Sequence, residues 1–181
     1  MRKITVSEFV SLDGVMGDPN WTFKYWSDES AAFKFAELFA HDALLLGRVT
    51  YEGFAQAWPS QKDEQGYADR MNSMPKHVVS ATLDNTTWTN TSVIKSNVID
   101  EIKALKQQDG QDILVFGSDT LVQTLIQNDL VDRYNLLIYP VVLGAGKRLF
   151  LDGTTTTLKL AETKSFNSGV TALVYETAPK A

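Results

Sequence analysis

Apolar and polar residues alternate from Ile4 to Val10, and the β-branched and aromatic residues among them predict a strand. It ends at Ser11-Leu12-Asp13-Gly14, and the Gly, Asp, Pro and Asn residues through Asn20 predict a loop. Trp21, Phe23, Tyr25 and Trp26 follow at once; aromatics clustered in this way either plug the core or line a pocket. Between Asp28 and Ala40, the residues Ala32, Phe33, Ala36, Phe39 and Ala40 recur at helical spacing, with Ser27 or Asp28 as the cap. Ala43-Leu44-Leu45-Leu46 is a continuous apolar run, as expected of a strand buried on both faces.

Gly47-Arg48-Val49-Thr50 leads into a short helix at Tyr51-Glu52-Gly53-Phe54, and the polar, mixed residues 60–74 predict a surface helix and loop. Short strands are expected at Val78-Val79 and Val93-Ile94. Asn97, with Asp100 following it, caps a helix whose apolar side is Val98, Ile102 and Leu105, and Asp109-Gly110 ends it. Ile113-Leu114-Val115-Phe116 is a second buried-type strand, and Gly117-Ser118 opens a helix with Leu121, Val122, Leu125 and Ile126 on one face. Beyond Leu130 only strands remain, at Tyr134 to Val142, Leu158 to Phe166 and Val170 to Tyr175. The last two are joined across Asn167-Ser168-Gly169, a hairpin signal. Alternation first and strands alone afterwards predict a three-layer α/β/α fold. Its central sheet is mostly parallel, with helices on both faces and antiparallel strands at the C-terminal edge.

Composition narrows the function. With 181 residues, 44% of them hydrophobic, the chain can bury one substantial core, so a single domain over 1–181 is expected. A net charge of −5 provides no electrostatic footprint for nucleic acid or an anionic membrane, so any bound anion must be held by a local site. Without cysteine there is no disulfide, thiol nucleophile or cysteine-ligated metal. His41 and His77 have no second nitrogen ligand near in sequence and read as ordinary edge-of-core or surface histidines; no metal site is proposed. The N-terminus runs directly into a strand pattern, and no stretch approaches the ~18 apolar residues of a membrane span, so a cytoplasmic location is expected.

Two junctions share one design. Leu46-Gly47-Arg48-Val49-Thr50 and Phe116-Gly117-Ser118-Asp119-Thr120 each run from a buried strand through glycine into a helix. Free backbone N–H groups and the helix dipole make such a start a phosphate cradle, and both lie at the carboxyl ends of strands, where open sheets bind ligands. Hydroxyls at Thr50, Ser118 and Thr120 can add hydrogen bonds, and Arg48 can supply charge. The alternative is that each glycine simply ends a strand and each hydroxyl caps the next helix. Neither a G-x-G-x-x-G nor a P-loop pattern is present.

In their order and spacing, several motifs resemble the dihydrofolate reductase superfamily. They are Ser11-Leu12-Asp13-Gly14, Leu46-Gly47-Arg48-Val49-Thr50-Tyr51-Glu52, Lys76-His77-Val78-Val79-Ser80 and Gly117-Ser118 with Leu121. Leu130-Val131-Asp132 and the run from Pro140 to Phe150 complete the set, and the latter is the most specific. The nearest branch resembles the C-terminal reductase domain of the bifunctional riboflavin-biosynthesis deaminase-reductase.

This resemblance implies NADPH as cofactor. Gly47, Arg48 and Thr50 match the family's Gly-Arg-x-Thr, which holds the pyrophosphate and the 2′-phosphate, and Ser80 matches a serine near the latter. Gly117 and Ser118 fall on a glycine pair that sets the backbone against the cofactor, with Asp119 and Thr120 at the helix start. Serine in the second position departs from that pair and leaves open whether the cis peptide often found there is present; a cis bond before a non-proline residue costs about 3 kcal/mol or more. Ala81 stands where relatives often carry arginine. The implied reaction is hydride transfer to a C=N or C=O bond of a small, heterocyclic molecule. Trp21 and Trp26 would form the substrate side together with Asp13, whose other reading is a turn residue beside Gly14. The proton would come from Asp28 or a bound water, although Asp28 and Glu29 also read as ordinary first-turn helix acids. Relatives of this branch pair through the C-terminal strands, so a homodimer is expected.

Overall fold

The computed structural model describes residues 1–178. Its frame is one eight-stranded sheet with strand order β4-β3-β2-β5-β1-β6-β8-β7. β1 (Ile4–Ser11) lies between β5 (Asp112–Val115) and β6 (Arg133–Tyr139) and runs parallel to both. β2 (His41–Gly47), β3 (Lys76–Val79) and β4 (Thr91–Ile94) extend the parallel part beyond β5. β8 (Thr171–Thr177) pairs antiparallel with β6, and β7 (Leu158–Ser165) closes the edge antiparallel to β8. The α/β sheet with antiparallel C-terminal strands is the architecture the alternation implied.

Period two explains how β1 serves both faces. Ile4, Val6 and Val10 join the core that holds Ile102 of α4 (Val98–Gln107) and Leu121, Val122 and Leu125 of α5 (Asp119–Gln127). Leu44 and Leu46 of β2 pack on the other face with Leu38 of α1 (Asp28–Phe39), Tyr51 of α2 (Arg48–Ala57) and Met71 of α3 (Tyr67–Ser73). β2 and β5 are buried almost throughout because helices cover them on both sides.

Three local expectations need correction. α1 turns the apolar positions Ala32, Ala36, Phe39 and Ala40 outward and buries Ser30, Lys34, Glu37 and Leu38. The inward charges are tolerated because they are bonded: Lys34 pairs with Glu37 and donates to Ser7, Ser7 donates to Glu37 at 2.9 Å, and Asn135 donates to its other oxygen at 2.8 Å. Asn97 precedes α4 in the left-handed region, φ 49°, and its side chain makes no cap bond. α2 begins at Arg48, immediately after Gly47, and is longer than the short helix expected at Tyr51. Among the described residues no helix is long and apolar enough to cross a membrane.

Candidate active site

Both glycine junctions lie at the carboxyl edge of the sheet, and the fold presses them together. The Gly47 N–H donates to the Gly117 carbonyl at 3.0 Å. A Cβ on Gly47 would stand 2.2 Å from Ser118 Oγ and 2.8 Å from the Ser118 backbone nitrogen, so only glycine fits. Gly117 has φ +86°, and the Gly117–Ser118 peptide is cis, which the serine had left open. Neither α2 nor α5 has a side-chain cap bond at its start, whereas Ser27 caps α1 by accepting from the Ser30 N–H. Two helix starts without side-chain caps therefore meet at one point, the arrangement that suits a pyrophosphate-bearing dinucleotide.

The other cofactor candidates surround this point. Thr50 Oγ1 is 3.2 Å from where a Cβ on Gly117 would lie. The Gly47–Val79 register pair brings the end of β3, which Ser80 follows, to the start of α2. Ser80 Oγ accepts from the N–H groups of Thr82 and Leu83 and so shapes its own turn. Arg48 is half exposed and makes a two-pronged bond to Glu52, 2.9 Å to each oxygen. Asp119 opens α5 and accepts from Lys147 at 2.9 Å, while Thr120 is exposed. A cleft of about 620 Å³ opens beside these two, with Lys147 and Arg148 in its lining.

The substrate-side candidates separate. Trp21 Nε1 donates to the Gly17 carbonyl, and its ring meets Tyr139 edge-on at 5.3 Å, which makes it a plug. Trp26 remains 47% exposed and meets Phe9 edge-on, with ring centroids 6.2 Å apart. Asp13 follows the carboxyl end of β1 and is tied up within the loop. Its carboxylate accepts from Ser11 Oγ at 2.6 Å and from the N–H groups of Leu143 and Gly144 at 3.1 and 2.8 Å. Those bonds hold it down to about pKa 2 and fasten the first loop to the segment before Arg148. Asp28 lies exposed in the first turn of α1.

Four residues absent from the sequence-based set complete the geometry. Phe9 continues from Trp26, and the Lys34 ammonium lies 5.6 Å from the Phe9 ring and 4.4 Å from the Phe116 ring, next to Gly117. Trp26, Phe9 and Phe116 thus make an aromatic wall leading to the junction. On the opposite face of β1, Glu8 is buried, and its Oε1 has no hydrogen-bond partner. That oxygen is 3.5 Å from where a Cβ on Gly117 would lie. Burial pushes the carboxyl up to about pKa 8 against the field of Lys34, with Glu37 and Asp119 adding to the rise. A signal for Glu8 existed: the alternation that faces Ile4, Val6 and Val10 inward also faces Glu8 inward.

Comparison with known proteins agrees with this fold. The uncharacterized protein YyaP of Bacillus subtilis (strain 168) is 33% identical over 179 residues, covering 96% of this chain and 94% of its own. A protein of Shewanella sp. PV-4 ascribed to riboflavin biosynthesis superposes with TM-score 0.78 at 20% identity, covering 97% of this chain and 99% of its own. Dihydrofolate reductase from Enterococcus faecalis, solved with NADP(H), shares the fold with TM-score 0.65 at 15% identity, covering 97% of this chain and 96% of its own. The RibD C-terminal domain model matches residues 2–172, and the chain belongs to that family.

Proposed function

We propose that the protein is an NADPH-dependent reductase that transfers a hydride to a C=N or C=O bond of a small heterocyclic substrate. The observation that carries this reading is the meeting of two helix starts without side-chain caps at Gly47 and Ser118. Family membership and the NADP(H) of the dihydrofolate reductase relative support it. Gly47, Thr50, Gly117, Ser118, Asp119 and Thr120 would hold the pyrophosphate region, and Arg48 with Ser80 the 2′-phosphate. The reduced nicotinamide supplies the hydride. The wall of Trp26, Phe9 and Phe116 orients a flat substrate and keeps water from it. A water or Asp28 supplies the proton that completes the reduction. The protein works in the cytoplasm as a homodimer paired through the C-terminal strands, where β7 is exposed and Leu160 is 47% exposed.

A second reading, reduction of a ribosylated aminopyrimidine phosphate, is favoured by the family and by the cations Lys147 and Arg148 lining the cleft beside α5. The decisive experiment combines thermal shift with an oxidation screen. NADPH at about 100 times its dissociation constant should stabilise the fold by roughly 2.7 kcal/mol. Pterins, aminopyrimidine ribosyl phosphates and simple carbonyls are then tested for NADPH oxidation. Turnover of the phosphorylated aminopyrimidine alone selects the second reading. Binding without oxidation of any compound leaves a nucleotide-binding protein, and no shift with NADPH or NADH ends the reductase reading.

A further inference from the structure

Glu8 is an acid at this edge whose chemistry packing does not explain. It sits at an inward position of a central strand, in line with Ile4, Val6 and Val10, where an aliphatic residue would pack without cost. Its Oε1 is shut off from solvent and accepts from no group among the described residues. A buried polar atom left unpaired is destabilising, so its retention points to a partner that comes from outside. The nearest feature is the Gly117 cradle, which lacks a side chain, has φ +86° and is flanked by the Thr50 hydroxyl.

We infer that Glu8 is a ligand-recognition residue of this cradle: its protonated carboxyl donates a hydrogen bond to the anionic dinucleotide held at Gly117, so the ligand and one proton bind together. The inference rests on the proposed cofactor site. The charges that face Glu8 are Lys34 and Glu37 from α1 and Asp119 from α5. Lys34 cannot supply a direct counter-ion, because its ammonium is engaged by Glu37 and Ser7. Asp119 adds a like charge. An ionised Glu8 would therefore have no compensating bond and would repel a phosphate, whereas the neutral acid supplies a donor.

The direction of the linkage follows. In the free protein the acid gives up its proton as pH rises through about 8, and binding must restore it. Affinity should be level below that point and fall by up to about tenfold per pH unit above it. Lys76 titrates in the same range, about 8, because it is buried. Its ammonium donates to the carbonyls of Asn72, Met74 and Thr89 at the amino end of β3, opposite the edge that holds Gly117, so binding there leaves its proton in place.

The test is calorimetric titration of the ligand-free protein with NADPH from about pH 6.5 to about pH 9.5, in buffers of different ionisation heat, for wild type and Glu8→Gln. Wild type should take up close to one proton per NADPH above pH ~8 and lose affinity there; Glu8→Gln should take up none and stay level. Proton uptake by wild type stands as evidence by itself should the variant fail to fold. NADPH binding to wild type without proton uptake and with pH-independent affinity overturns the role of Glu8 and leaves the reductase reading intact. Binding of neither NADPH nor NADH at any pH overturns both.

Discussion

Two glutamates are buried on opposite faces of the same sheet, and they differ in what surrounds them. Glu37, beneath α1, has both oxygens bonded, by Lys34 and Ser7 on one and by Asn135 on the other. Glu8, on the α5 face of β1, has an Oε1 bonded to nothing and directed toward the Gly117 junction. Equal burial therefore carries opposite meanings. A saturated acid holds elements together, while one with a vacant oxygen beside a cradle is kept for a ligand. Strain reserved for function is the usual reason that a locally destabilising residue persists.

The comparison can be broken most forcefully at Glu37. Glu37→Leu leaves the Lys34 ammonium buried without its anion, and chemical denaturation should show a loss of about 3–5 kcal/mol. An unchanged midpoint would mean that water reaches Lys34 and that the network is not structural. The same substitution on the other face should act with the opposite sign. Glu8→Leu removes an unpaired acid and should stabilise the ligand-free protein by about 1–3 kcal/mol near neutral pH. The pH dependence sharpens this. Unfolded Glu8 ionises from its ordinary value of 4.5, whereas folded Glu8 keeps its proton to about 8. Wild-type stability is therefore drawn down as pH rises through that window, and the advantage of Glu8→Leu should grow from pH 4.5 to about 8 and then level off. A constant advantage across the window would show that Glu8 is solvated in the native state.

The smallest effect concerns the rim of the same site. Arg48 spends its guanidinium on Glu52 across one helical turn, an exposed pair worth little by itself. Freeing it with Glu52→Gln should tighten NADPH by roughly two- to fivefold and leave NADH unchanged. Arg48→Ala should weaken NADPH more than NADH. If fluorescence titrations find both cofactors affected alike, Arg48 does not read the 2′-phosphate.

Much of this site was legible from residue order. The runs Ala43 to Leu46 and Ile113 to Phe116 marked buried strands because parallel strands under two helical layers need apolar residues at every position. The glycines that follow marked the junctions. The resemblance added Arg48, Thr50 and Ser80, and the register brings the end of β3 to the start of α2. α1 was misread for a physical reason. Periodicity reports that a helix has two sides, and hydrophobicity picks the inner one only where burial is apolar. Here Lys34 and Glu37 neutralise each other with partners from β1 and β6, far away in sequence. Asp13 likewise resembled a site residue until its bonds to Leu143 and Gly144, 130 and 131 positions away, made it a fastener.

The sequence by itself determined the alternation of strands and helices, the antiparallel close of the sheet and the two glycine-led helix starts, because each depends on neighbours within a few residues. Only the tertiary structure decided that Gly47 packs against Ser118, that the Gly117–Ser118 peptide is cis, and that Glu8 rather than Asp28 lies buried beside the junction. Those features depend on which strands become neighbours. β2 and β5 are brought side by side from positions 41–47 and 112–115, and no local pattern in either segment records the other.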